Sequence, residues 1–228
     1  MKIAVVTSNV GLDIKYPNNT IFKTADYFIF STNVKNKIDN VNIFEINSLT
    51  DFERYTKRRT AKPYKIIPEL FLNDYDYFIW HDITHELLID PRILIENYTG
   101  LNDFSLFKHK FRDCLYDEAK FIKKIKFDDK KLINEQIKYY KYKKHPRNSG
   151  LFELSAFIKA NNSKTRQFSF LWMEQIIKFS SRDQLSFAYL LNKLNLNYNL
   201  FPGYVNGYNE NEIFKQVTFS NHSRKYDF

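Results

Sequence analysis

The sequence predicts an α/β domain built on a mostly parallel sheet flanked by helices, and three observations carry that expectation. Short apolar runs rich in β-branched and aromatic residues alternate along the chain with longer amphipathic stretches, the order that builds a sheet covered by helices. The first and most apolar of these runs ends in small polar residues, as strands do where the carboxyl edge of an open sheet meets a ligand. The composition, 43% apolar with 18% aromatic and 27% charged, supplies material for a core and excludes wholesale disorder.

Residues 3–7 read as a buried first strand that delivers Thr7, Ser8 and Asn9 to the edge of the sheet, ahead of Val10 and Gly11. Residues 27–31 and 41–46 follow as short strands. Thr50 and Glu53 stand three apart in a capping-box arrangement that opens a helix, and a second helical stretch is expected over 66–72. The apolar strand 77–80 then leads into His81 and Asp82, and Asp90-Pro91 opens a helix through 97, because proline is favoured in a first turn. A strand over 104–107 precedes helices across 117–127 and 129–142. The turn residues 145–150 break that pattern before a strand over 151–158. Residues 164–179 and 182–191 read as helices, the first with Phe168, Leu171, Trp172, Gln175 and Phe179 as its inner stripe. From Pro202 onward the chain is polar and aromatic without a usable period. No repeat or linker divides it, so 1–228 is expected to form one domain.

Lys and Arg outnumber Asp and Glu by 35 to 26, for a formal charge of +9, and much of the excess lies between Lys120 and Arg147. Such a region attracts phosphate, an anionic membrane or nucleic acid, or is simply a solvated helical face; no nucleic-acid motif accompanies it, so a nucleic-acid partner is not expected. Cys114 is the sole cysteine, which rules out an internal disulfide and fits a reducing compartment, here expected to be cytoplasmic. The first residues read as a strand rather than a signal peptide, and no run approaches eighteen apolar residues. Peripheral attachment to a membrane is compatible with all of this.

Several constellations could carry chemistry. Asp82, at the tip of an apolar strand, can bind Mn²⁺ or Mg²⁺, which prefer oxygen ligands and can bridge the phosphates of a nucleotide; a strand-end aspartate that only caps the next turn is the plainer reading. His222 is a candidate for a further metal ligand, or an exposed tail residue. His81 and His85 lack the order of a zinc-peptidase motif. Arg58, Lys62 and Lys65 fall on one face of a helix, where they could meet a diphosphate or water. In the stretch from His109 to Ala119, Arg112 and Glu118 could bind polar ligand groups or hold one another, and Cys114 is an activated thiol or, more plainly, buried filler. Gly150 permits close backbone approach, Asn148 can bond a sugar hydroxyl, and Glu153 can touch an acceptor or face solvent. Ser181 and Gln184 have the spacing of a helix cap, while Arg182-Asp183 would present a carboxylate at the sheet rim.

Taken in order, Arg59 and Lys62, Trp80-His81-Asp82, the stretch His109-Lys110-Phe111-Arg112-Asp113-Cys114-Leu115-Tyr116-Asp117-Glu118-Ala119, Asn148-Ser149-Gly150-Leu151-Phe152-Glu153, Trp172, and Ser181-Arg182-Asp183-Gln184-Leu185-Ser186-Phe187 resemble a glycosyltransferase-like family long catalogued as a domain of unknown function. Its plant members include proteins implicated in pectin synthesis, and the resemblance covers about residues 55–190. It implies the GT-A (nucleotide-diphospho-sugar transferase) fold, with residues 1–100 mainly the donor-binding half and 101–228 mainly the sugar and acceptor half. It further implies that Asp82 is the metal-binding acid, Arg59 and Lys62 lie on the donor side, His109 and Arg112 belong to the pocket, and Asp183-Gln184 lie next to the sugar. Asn148-Ser149-Gly150 is similar to the asparagine–glycine turn of retaining GT-A enzymes. The sequence departs from the pattern at Trp80, where many GT-A enzymes carry a second aspartate, at Lys110 in place of proline, and at Met173 in place of tryptophan. The expectation is therefore a metal-dependent transfer from a nucleotide-diphospho-sugar, UDP-sugars favoured, to a glycan or other hydroxyl acceptor. Thr7, Ser8 and Asn9 would help seat the nucleotide, Asp183, Gln184 and Glu153 would serve the reaction, and retention is the favoured outcome. The alternative is a non-catalytic nucleotide-sugar or glycan-binding protein. Oligomeric state is not specified by any of these features.

Overall fold

The computed structural model describes residues 1–11, 21–33, 38–46, 57–205 and 211–217, with only the backbone described for Lys57 and Arg58. Its centre is a seven-stranded sheet in the order β3-β2-β1-β4-β7-β6-β8. The strands are β1 (Ile3–Asn9), β2 (Asp26–Ser31), β3 (Val41–Glu45), β4 (Tyr77–His81), β6 (Phe104–Lys108), β7 (Phe152–Ala160) and β8 (Tyr198–Leu200). All run the same way except β7, which is antiparallel to β4 on one side and β6 on the other. The mostly parallel α/β sheet expected from the sequence is what the chain adopts, and strands from both halves of the chain build it. A separate two-stranded ribbon pairs β5 (His85–Leu87) with β9 (Phe214–Gln216).

The sheet is buried on both faces because its strands are apolar at successive positions rather than at alternate ones. Every residue of β1 is buried, and the period of two sorts them. Ala4, Val6, Phe28, Phe30, Phe78, Trp80, Leu106 and Phe157 join the core on one face. Ile3, Val5, Tyr27, Ile79, Phe107 and Ile158 join the core on the other. The first face carries α1 (Lys57–Ile66), α3 (Leu115–Lys124), α4 (Lys130–Tyr142), α5 (Ser163–Lys178) and α6 (Asp183–Leu194), whose buried aromatic stripe includes Phe168 and Trp172. The second is covered by α2 (Pro91–Tyr98) and the β5–β9 ribbon. Among the described residues, no helix is long and apolar enough to cross a membrane.

Local chemistry explains the helix starts. Asp90 caps α2 by accepting from the Arg92 and Ile93 amides, with Pro91 next in line. Asn162 and Thr165 form a reciprocal capping box on α5. Other expectations are corrected. Residues 66–72 do not form a helix: α1 ends at Ile66, and Pro68, which lacks an amide donor, begins a single 3-10 turn, Pro68–Leu70. Ser181 and Gln184 do not cap α6. Arg182 is the N-cap, Ser181 donates instead to Asp128, and Gln184 donates to the Phe152 carbonyl. The Thr50–Glu53 cap lies outside the described residues, and the short strands β5, β8 and β9 were not anticipated.

One buried ion pair locks the 3-10 turn to the sheet. Lys159 on β7 is 1% exposed, and its Nζ donates to Glu69 Oε2 at 2.6 Å, to Ser169 Oγ at 2.9 Å and to the Ile66 carbonyl at 3.1 Å. Burial pulls the Lys159 ammonium down to about 8, against the pull of Glu69. Removing one partner strands the other charge, whereas removing both leaves an apolar site. Glu69→Ala is therefore expected to lower unfolding stability by about 3–5 kcal/mol. Glu69→Leu/Lys159→Met should recover most of that loss, as read by urea denaturation.

Candidate functional site

The carboxyl ends of β1 and β4 lie side by side, with Val6 opposite Trp80, so the predicted residues beyond them share one rim. Thr7, Ser8 and Asn9 end β1 there and are all buried. The Thr7 hydroxyl has no hydrogen-bond partner among the described residues. Asp82 follows β4 directly. Its amide donates to the Ser155 carbonyl at 2.7 Å and its own carbonyl accepts from His85 at 2.8 Å, so the backbone on both sides of it is fixed. Ser155 lies where β7 bulges away from β6 between the Leu106 and Phe107 pairings, a distortion that loosens the sheet at its rim.

The Asp82 side chain is 43% exposed and, among the described residues, held on one oxygen only. Trp80 Nε1 donates to Oδ1 at 2.9 Å, and Lys65 Nζ stands 3.8 Å from the same atom. Oδ2 has no hydrogen-bond partner among the described residues. Trp80 thus orients the aspartate.

Lys65 then connects Asp82 to Asp183. Its Nζ donates to Asp183 Oδ2 at 2.7 Å, and Lys62, one helical turn earlier on α1, donates to the same oxygen at 2.5 Å. Asp183 Oδ1 accepts the Gln184 amide at 3.1 Å. Burial alone would raise the Asp183 carboxyl, but Lys62, Lys65 and Arg182 outweigh it and hold it far below the ordinary carboxylate range. Burial likewise lowers Lys62, opposed by Asp183. Gln184 is buried, with its Oε1 lacking a partner among the described residues while its Nε2 reaches the Phe152 carbonyl.

A second ionic cluster adjoins the first through Arg182. Glu118 is wholly buried and serves two guanidinium groups: Arg112 Nε at 2.6 Å, and Arg182 through NH2 at 2.9 Å. Each guanidinium also lies on an aromatic ring, Arg112 over Phe121 at 4.2 Å and Arg182 over Phe127 at 4.6 Å. Burial would raise Glu118, yet Arg182 and Arg112 bring it below its usual value. The two arginine side chains keep 22% and 23% of their surface exposed, so the cluster presents positive charge outward from an anionic root. His109 completes it. Its Nδ1 accepts the amides of Phe111 and Arg112, both at 3.1 Å, which places the ring proton on Nε2, 3.7 Å from Glu118.

Other predicted residues sit differently. Arg59 donates to the Ile176 carbonyl and, at 2.5 Å, to the Phe179 carbonyl, tying α1 to the end of α5. Glu153 is buried, not solvent-facing, and its Oε2 accepts the Val205 amide at 3.1 Å. Asn148 is exposed in a left-handed conformation, φ +52°. Gly150 has φ +97°, and a Cβ there would meet the Phe152 ring at 3.2 Å, so both conformation and space call for glycine. Cys114 is buried beside α3, consistent with filler. His222 lies outside the described residues. Val217 donates to the Thr84 carbonyl at 2.7 Å, which brings the chain's last described stretch against the Asp82 turn. Lys65, expected only to face a diphosphate or water, connects the two aspartates, and Trp80 and Arg182 join it as connecting residues. Only the α1 spacing hinted at Lys65, and nothing local pointed to Arg182 meeting Glu118.

As a home for a hard cation, this rim offers the outward Oδ2 of Asp82. Among the described residues no group of three or more His, Cys, Asp or Glu converges. That donor set fits an ion that takes one or two ligands from protein and the rest from phosphate and water, as Mg²⁺ commonly does. Two open hollows lie at the opposite edge of the sheet, lined by Lys2, Asp74, Tyr75 and their neighbours, well away from this chemistry.

An α/β sheet with an ionic cluster at the carboxyl ends of its strands belongs to the class that binds ligands at that edge. The comparisons give the particular family. Residues 22–220 match the TOD1/MUCI70 glycosyltransferase-like domain, and the chain belongs to that family. A probable hexosyltransferase, MUCI70 of Arabidopsis thaliana, is 26% identical over 147 residues, covering 60% of this chain; the chain spans about a quarter of that relative's length. Among solved structures, the galactosyltransferase LgtC in complex with donor and acceptor sugar analogs aligns over 89% of this chain and 73% of its own, with a TM-score of 0.45 and 11% identity.

His109 yields a pH prediction. Burial holds it down to about 4, so the unfolded chain takes up a proton near 6.5 that the folded chain refuses. Acidification from pH 7 to 5 should therefore remove roughly 1–2 kcal/mol of stability through this residue. His109→Asn, whose carbonyl oxygen can replace Nδ1 as acceptor but does not titrate, should flatten that part of a stability–pH curve measured by chemical denaturation.

Proposed function

We propose that the chain transfers a sugar from a nucleotide-diphospho-sugar, UDP-sugars favoured, to a hydroxyl of a glycan acceptor, using Mn²⁺ or Mg²⁺ at Asp82. Family membership supports glycosyl transfer, and the sheet supports a GT-A-like reading of its rim. The observation that carries the site assignment is the Asp82 carboxylate, turned outward on one oxygen and flanked by Lys65, which also binds Asp183.

When bound, the cation would neutralise charge accumulating on the departing diphosphate. The chain's own residues do the rest. Trp80 fixes Oδ1 of Asp82 and so selects Oδ2 as the oxygen presented. Arg112 and Arg182, anchored on Glu118, add a positive field that needs no rearrangement as leaving-group charge develops. Oε1 of Gln184, which has no partner among the described residues, is an acceptor that a donor-sugar hydroxyl would satisfy. Thr7 offers its hydroxyl to the nucleotide side in the same sense.

Asp183 is ill suited to be a general base, because a carboxylate stabilised by two lysines has little affinity for a proton. Its role here is to orient Lys62, Lys65 and the sugar-facing end of α6. This favours transfer with retention, in which the departing phosphate accepts the acceptor's proton, over an inverting route through Asp183.

Titration calorimetry with a panel of UDP-sugars, with and without Mn²⁺, tests the reading alongside a transfer and donor-hydrolysis assay. Asp82→Asn should weaken donor binding at least tenfold in Mn²⁺ and change it little without metal. Gln184→Ala should lower turnover by about 10²-fold, as when one oriented hydrogen-bonding group is lost. Failure of the chain to bind any donor, or donor binding and turnover left unchanged by Asp82→Asn, would remove the assignment.

A further inference from the structure

We propose that the exposed face of α4 docks onto the anionic surface of a lipid bilayer. The inference is independent of the transfer chemistry and rests on charge that the fold leaves uncompensated. Lys130, Lys131, Lys138 and Lys141 are all exposed, and by the helical period they occupy about a third of the helix circumference. Among the described residues, none of the four has a carboxylate within ion-pairing distance, and Glu135 is the single acid on that face. The adjoining helix adds to the same patch: Lys123 Nζ donates to Asn134 Oδ1 at 2.8 Å, which sets its ammonium among the α4 lysines. Lys143 and Lys144 continue the charge beyond the helix end. By contrast, Lys120 and Arg147 are already paired, both with Asp117.

The helix also interleaves tyrosine with lysine. Tyr142 is 78% exposed at the end of the face, and Lys143 lies over its ring at 5.3 Å. A ring with an apolar body and a polar tip suits the headgroup region of a bilayer, and lysine stems cover apolar surface while their ammonium groups meet lipid phosphate. A soluble polyanion without aromatic bases, such as heparin, would satisfy the lysines but gives no reason for a large exposed ring beside them. The face spans about 17 Å from Lys130 to Lys141, long enough to meet several headgroups at once. Each basic residue at such a surface multiplies partitioning by about fivefold.

The test is co-sedimentation of the full chain with vesicles. Binding is expected to phosphatidylcholine vesicles containing about a third phosphatidylglycerol at 50 mM NaCl, with little binding to pure phosphatidylcholine and loss of binding at 300 mM NaCl as screening sets in. Lys130→Glu/Lys138→Glu/Lys141→Glu should reduce partitioning about 100-fold or more. Lys23→Glu/Lys164→Glu/Lys193→Glu, which changes net charge equally at exposed sites elsewhere, should reduce it less than tenfold. Circular dichroism and melting of both variants establish that each is folded. Equal loss in the two variants would reduce the effect to overall charge and overturn the proposal. So would the absence of binding to the anionic vesicles, including the case in which immobilised heparin retains the protein and vesicles do not.

Discussion

The shared carboxylate of Asp183 is the interaction on which the site depends. One oxygen receives Lys62 and Lys65 from α1, and the other receives an amide from the first turn of α6. All three partners come out of water together, which is tolerable only because opposite charges meet at hydrogen-bond distance and the remaining lone pair is filled. Lys65 passes this constraint to Asp82, and Arg182 passes it to Glu118 and the second cluster. A change at any one of these positions therefore disturbs charges contributed by helices and a strand tip far apart in the chain.

The two clusters divide the work between rigidity and reach. Glu118 is wholly buried and belongs to the framework, while the arginines it anchors extend far enough to touch a ligand. The same division holds for Asp82, where Trp80 immobilises one oxygen and leaves the other for outside chemistry. Such pre-positioning lowers the ordering that a polar ligand must impose on binding. The Gln184 oxygen, without a partner among the described residues, points the same way, since a buried polar atom without a partner is costly unless something else completes it.

Much of the fold was legible in the sequence because the sheet is buried on both sides. The runs around Val5, Ile29 and Ile79 could hardly be anything but interior strands, and Asp90-Pro91 announced a helix in two residues. β5, β8 and β9 are three residues long, too short for a period to register, and their pairing is decided by partners distant in sequence. Over 66–72 the apolar spacing suggests a helix, but Pro68 cannot donate an amide and stops it. Ser181 had the spacing of a cap, but Asp128 is a stronger acceptor for its hydroxyl. Within the site, strand-tip position identified Asp82, and helix spacing suggested Lys62 and Lys65. The Glu118–Arg182 contact joins residues 64 apart, a relation that no local pattern encodes.

The β5–β9 ribbon has a consequence for how the rim comes into being. His85 pairs with Gln216, so the strand that follows Asp82 waits for a partner that leaves the ribosome many residues later. Contacts of such long sequence separation carry a large loop-closure cost and form late. During synthesis the sheet's central strands can assemble while the turn beyond Asp82 still lacks its brace. Completion of this edge is thus coupled to synthesis of residues 214–216, and a polypeptide cut before them would carry a folded sheet with an unfinished rim.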